Sequence, residues 1–174
     1  MPKVKLKCFI LLCCFQFGAA FLFGQNAQQK LLEGKWHVVA SNFPMWLDGK
    51  NLNPSFNYTN FKTKNELLRF DDLVLYSKNG KEKKIKGKDK QREKGHLKFK
   101  WRGKGLLGLF VSRWQVVAND AEGQWIAVYA TATLVSPESL DILSRNKKMP
   151  EHQLKDIISH IKTEYTKRPI QILK

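Results

Sequence analysis

Leu97-Lys98-Phe99-Lys100-Trp101-Arg102 places three large apolar side chains at odd positions and three cations at even ones. Successive side chains of an extended chain point to opposite faces, so this run has one dry side and one strongly cationic side. Seven further runs rich in β-branched and aromatic residues flank it: Trp36–Phe43, Ser55–Phe61, Leu67–Tyr76, Lys81–Gly87, Phe110–Ala118, Gln124–Thr131 and Ser139–Arg145. They are separated by turn chemistry at Asp48-Gly49, Asn79-Gly80, Lys94-Gly95, Asn119-Asp120 through Gly123, and Ser136-Pro137. Eight short strands at this spacing predict an all-β antiparallel sandwich or barrel. After Arg145 the period changes. Pro150 and Glu151 open a segment at about 150–166 that sets Leu154, Ile157, Ile158, Ile161 and Tyr165 at helical spacing, and its apolar stripe needs the outside of the sheet to cover it. Pro169 blocks continuation of that helix, and Ile170, Ile172 and Leu173 can run extended against the strands.

At the other end, Lys3, Lys5 and Lys7 precede an apolar stretch from Phe9 to Phe23, the layout of a secretory signal peptide over residues 1–24. Removal after Gly24 leaves one domain, residues 25–174, expected to be secreted or periplasmic. Cys8, Cys13 and Cys14 all lie in the leader, so the remainder carries neither disulfide nor thiol nucleophile. The chain has a formal net charge of +16, and from Lys78 to Lys104 thirteen Lys or Arg face only Glu82, Asp89 and Glu93. The excess is a patch. It reads as the solvated face of paired strands, because Ile85, Leu97, Phe99 and Trp101 give the same segment a buried side, and lysines on exposed strands discourage edge-to-edge pairing.

Two motifs narrow the fold. Leu32-Glu33-Gly34-Lys35-Trp36-His37-Val38-Val39 resembles the Gly-x-Trp opening of the first lipocalin strand. Leu140-Asp141-Ile142-Leu143-Ser144-Arg145-Asn146-Lys147-Lys148, followed by a helix, is similar to the last strand, signature arginine and helix of bacterial and apolipoprotein-D-like lipocalins. Asn119-Asp120-Ala121 meets only part of the family's middle motif and lacks its tyrosine, which points to a divergent lipocalin-like subgroup. The resemblance implies an eight-stranded up-and-down barrel of the lipocalin/calycin type with one C-terminal helix. Within it, Gly34 lets the chain approach closely and Arg145 is expected to stack on Trp36.

A barrel of eight strands has room for packed side chains or for one small ligand. The cavity candidates are Phe56, Tyr58, Phe99, Trp101, Trp114, Trp125 and Tyr129, with Lys104 and Arg113 near the opening to hold an anionic head group. The implied function is binding, transport or storage of a fatty acid, lysolipid or similar apolar molecule by a monomer without cofactor. Enzyme motifs are missing: His37, His96, His152 and His160 show no metal-ligand spacing, no Gly-x-Ser-x-Gly elbow occurs, and Gly103-Lys104-Gly105 lacks the rest of a phosphate loop. The competing reading is a cationic outer face, through Lys83, Lys84, Lys86, Lys98 and Lys100, that binds lipopolysaccharide or an anionic membrane. Nucleic acid is not expected, since alternation puts Phe99 and Trp101 on the side opposite Lys98 and Lys100 and separates stacking from phosphate contacts.

Overall fold

A computed structural model of the chain describes residues 24–173. The leader read from residues 1–24 lies outside them apart from Gly24. Residues 24–32 are helical. A second compact unit begins at Glu33 and carries the sheet.

The strands are β1 (Gly34–Ser41), β2 (Asn51–Lys64), β3 (Leu67–Lys78), β4 (Lys81–Gln91), β5 (Lys98–Gly103), β6 (Val111–Asn119), β7 (Trp125–Ala130), β8 (Ser139–Ser144) and a two-residue β9 (Gln171–Ile172). Each of β1 to β7 pairs antiparallel with its successor, and β8 pairs back onto β1, so the sheet closes. The eight-stranded up-and-down barrel with one C-terminal helix, Glu151–Tyr165, is therefore the fold. Closure satisfies the edges that an open sheet would leave unpaired. Strand β1 has a register shift between Val38 and Ala40. Its first half pairs with β2, and its second half takes β9 instead, with Leu173 N–H donating to Val39 O at 2.9 Å.

Local chemistry explains the turns. Asn79 and Gly80 have φ of 54° and 72°, the left-handed pair that a two-residue hairpin needs to follow strand twist. Asp120 Oδ1 accepts from Gln124 N–H at 2.7 Å and Trp125 N–H at 3.0 Å, tying the β6–β7 turn. Strand β4 runs four residues past the expected end at Gly87. Lys88 and Lys90 remain exposed while Asp89 and Gln91 turn inward and are buried.

Leu154, Ile157 and Ile161 of the helix pack with Val39, Ala40, Ala127, Leu140 and Ile142 on the outside of the barrel. Strands β7 and β8 are consequently buried on both faces. The lower end of the barrel holds the start of β1, the turns after β2, β4 and β6, and Arg145. The upper end holds a helical turn at Pro44–Leu47, the 78–81 turn, a 3-10 turn at Gly105–Leu109, and the loop from β7 to β8.

Candidate functional site

Register brings the inward side chains into rows. Tyr58, Asp72, Gly87 and Gly103 stand side by side across β2 to β5. Phe70, Asp89, Trp101 and Ser112 do so across β3 to β6, and Gln91, Phe99, Trp114 and Ala130 across β4 to β7. The rings close on one another: Tyr58 stacks on Trp114 with centroids 5.7 Å apart, Phe99 stacks on Trp114 at 4.5 Å, and Phe70 meets Phe99 edge-on at 5.3 Å. Such offset and edge-to-face contacts suit the ring quadrupoles. Phe56 is half-buried beside Tyr58, at 6.1 Å.

Carboxyl groups sit among these rings, and the sequence reading missed them. Asp72, Asp89 and Asp141 are all buried. Trp114 Nε1–H donates to Asp89 Oδ1 at 2.7 Å, and the Trp101 indole donates to Asp72. Ser41 Oγ–H and Ser139 Oγ–H donate to Asp141. The second oxygens, Asp72 Oδ1 and Asp89 Oδ2, meet no protein donor. Burial disfavours the charged form, so it lifts Asp89 to about 7 against the lowering effect of its Trp114 bond, and Asp141 to about 6 against those of Ser41 and Ser139. Asp72 is raised well above the ordinary carboxylate range, first by burial and then by the charge of Asp89. Burial and these three carboxylates also push the Tyr58 phenol up. The interior is aromatic and acidic.

Trp101 owes its position to Gly87. A Cβ on Gly87 would lie 2.0 Å from Trp101 Nε1 and 2.2 Å from its Cε2, so the indole lies directly over the glycine. Gly87→Ala should therefore dislodge Trp101 and its bond to Asp72, at a cost of about 1–3 kcal/mol in urea unfolding. A variant as stable as the parent would show that the indole has another place to go.

At the lower end Trp36 is fully buried and the Arg145 guanidinium lies 3.6 Å from its ring centroid. Arg145 Nη1 also donates to Lys35 O at 3.2 Å, and its backbone N–H donates to Gln124 O at 2.9 Å. Gly34 has φ of +100°, and a Cβ there would come within 3.3 Å of that same Nη1. The glycine of Gly-x-Trp is thus required both by its left-handed backbone and by the arginine resting against it.

The structure corrects several expectations. Trp125 and Tyr129 do not face the interior: they pack on the outer cluster under the helix, Tyr129 lying 5.6 Å from Tyr165, while Ile126 and Val128 point inward. The reason is the parity of β7, both of whose faces are apolar. Lys104 forms an ion pair with Asp71 at 3.0 Å on the outer surface, and Arg113 is exposed on the face of β6 opposite Trp114, so neither is placed to hold a head group inside. Lys98 pairs with Glu93 at 3.1 Å. Lys83, Lys84, Lys86 and Lys100 are exposed. The signal for one of the missed acids, Asp89, lay in β4, where Lys84, Lys86, Lys88 and Lys90 take the outward parity and leave Ile85, Gly87, Asp89 and Gln91 on the other. Among the described residues no group of three or more His, Cys, Asp or Glu is placed to hold a metal ion.

Comparison with known proteins agrees with this architecture. The profile of the lipocalin-like domain matches residues 29–171. Among solved structures, the chain is similar to the siderocalin Ex-FABP, a protein described as functioning through dual ligand specificities. The match has a TM-score of 0.56 at 13% sequence identity, covering 82% of this chain and 93% of that one, which is a likeness of fold. No curated protein matches the chain by sequence.

Proposed function

Since the chain belongs to the lipocalin-like domain family, we propose that its barrel takes up a small hydrophobic molecule for carriage or storage, and that the polar end of this ligand donates hydrogen bonds. The observation that carries the second half is the buried trio Asp72, Asp89 and Asp141 among Tyr58, Trp101 and Trp114. Two of those carboxyl groups have an oxygen without a protein donor. A hydroxyl or an amine satisfies such an oxygen, and a protonated amine also offsets its charge. A fatty-acid carboxylate does neither, and it would add like charge in a medium that screens poorly. Partition of apolar surface into the ring-lined interior supplies the driving force. The Trp36 end is filled, so the ligand enters from the upper end.

Displacement of the uncharged probe N-phenyl-1-naphthylamine tests this at pH 8. Decanol and decylamine should each displace it at concentrations at least ~10-fold below those needed with decanoate, a discrimination of about 1.4 kcal/mol. Failure of the folded protein to take up the probe would end the carrier reading. Preferential displacement by decanoate would leave a carrier but refute the donor assignment.

A further inference from the structure

Five apolar side chains at the upper rim are exposed. Leu106 is 99% exposed, Leu109 91%, Val135 71% and Phe110 42%, and Leu134 is entirely exposed. They belong to two loops that are neighbours in the ring: β6 and β7 pair up to Trp114↔Ala130, and Thr131 N–H donates to Arg113 O at 2.9 Å just below both. Scattered exposed leucines are ordinary, but a cluster confined to one rim is not.

The loops are held in shape, so this exposure is built in. In the 3-10 turn, Leu107 packs so tightly on Gly103 that a Cβ there would lie 2.5 Å from its own Cβ, and Arg102 Nη1 donates to Gly108 O at 2.8 Å. With Leu107 turned onto Gly103, Leu106 and Leu109 are left in solvent. In the other loop Thr133 N–H donates to Ser136 O at 2.7 Å, and Val135 N–H to Thr133 Oγ1 at 3.3 Å, which fixes Leu134 and Val135 at the tip.

Beside them stands a cationic hairpin. Lys104 N–H donates to Lys86 O at 2.8 Å, and β5 ends opposite Gly87, so residues 81–86 project past β5 alongside the 3-10 turn. Lys78, Lys81, Lys83, Lys84 and Lys86 are exposed there, against the single acid Glu82.

We propose that this rim is a membrane-docking surface, which inserts the leucine-bearing tips of residues 105–110 and 133–136 into an anionic bilayer while the 78–86 hairpin lies on its head groups. Exposed leucines on loop tips, bordered by cations, suit a fluid bilayer, whose apolar interior takes up such side chains while its anionic head groups meet the lysines. The adjoining lysines complement the negative potential of anionic lipid. Docking in this pose turns the upper end of the barrel toward the bilayer, the side from which a hydrophobic ligand would enter or leave. The proposal does not depend on which ligand the interior takes.

Hydrogen–deuterium exchange of the chain, with and without vesicles of phosphatidylglycerol and phosphatidylcholine, tests the pose. Amides in 105–110 and 133–136 should exchange several-fold more slowly on anionic vesicles, with β7 and β8 unchanged. Leu106→Ser with Leu109→Ser, both at exposed positions, should lower vesicle co-sedimentation about tenfold at low and high salt alike. Lys83→Ser with Lys84→Ser should lower it mainly at low salt, where screening is weakest. Equal exchange at both loops in the two conditions overturns the proposal, whether or not the chain sediments with the vesicles. So does unchanged binding by the leucine variant.

Discussion

Trp36→Ala should destabilise the barrel by about 3–5 kcal/mol, lowering the thermal midpoint by roughly 10–15 °C, the largest effect expected of any single substitution here. The indole is fully buried, and burying a ring of its size removes about 150–250 Å² from water. Alanine would leave a void walled by backbone that cannot collapse, because β1 is paired with β2 on one side and with β8 on the other at this level. Arg145→Lys should cost only about 1 kcal/mol: it forfeits the flat stack on the ring and the bond to Lys35 O, but leaves the ring buried. The order of the two effects is the test. If Arg145→Lys melted as low as Trp36→Ala, the arginine would be the principal support and the indole secondary.

These two groups were legible in the sequence because their roles depend on position along the chain. A glycine and tryptophan opening the first strand and an arginine closing the last must meet wherever an eight-stranded meander closes. The strands themselves were legible for a similar reason: each turn carries residues whose backbone preferences the bend demands, such as Asn79-Gly80. What could not be read was which side of a strand faces in when both sides are apolar. In β7, Trp125, Ala127 and Tyr129 alternate with Ile126 and Val128, and only the helix packed outside makes the aromatic set exterior. The choice rests on contacts between segments far apart in the chain. The acids were obscured differently. Asp72 follows another aspartate and Asp89 lies between two lysines, so each looks solvated when judged by its neighbours. Their burial follows from strand parity, a property of the whole of β3 and β4.

That burial predicts a pH dependence opposite to ordinary acid denaturation. A carboxyl raised above its unfolded value keeps its proton in the folded state after the unfolded chain has lost it, so the folded state binds more protons in between and stability falls as pH rises. For Asp89 the interval runs from about 4, the unfolded value, to about 7, and for Asp141 from about 4 to about 6. Above it the loss is complete. Wild-type melting against pH would mix this effect with repulsion among the many surface lysines, which works in the other direction as acid groups are neutralised. Asp89→Asn separates the two, since the surface charges are common to both proteins. Its Oδ1 can still accept from Trp114 Nε1–H, while the group can no longer ionise. At pH 8 the variant should be more stable than the parent by about 2 kcal/mol, or roughly 5 °C, because an uncompensated buried charge has been removed. At pH 4.5, where the parent's Asp89 is already protonated in the folded state, the difference should nearly vanish. A variant that melts below the parent at pH 8, or by the same margin at both pH values, would mean that the Asp89 carboxylate is stabilised inside the barrel, and the ligand's polar end would then have to be sought elsewhere than at this acid.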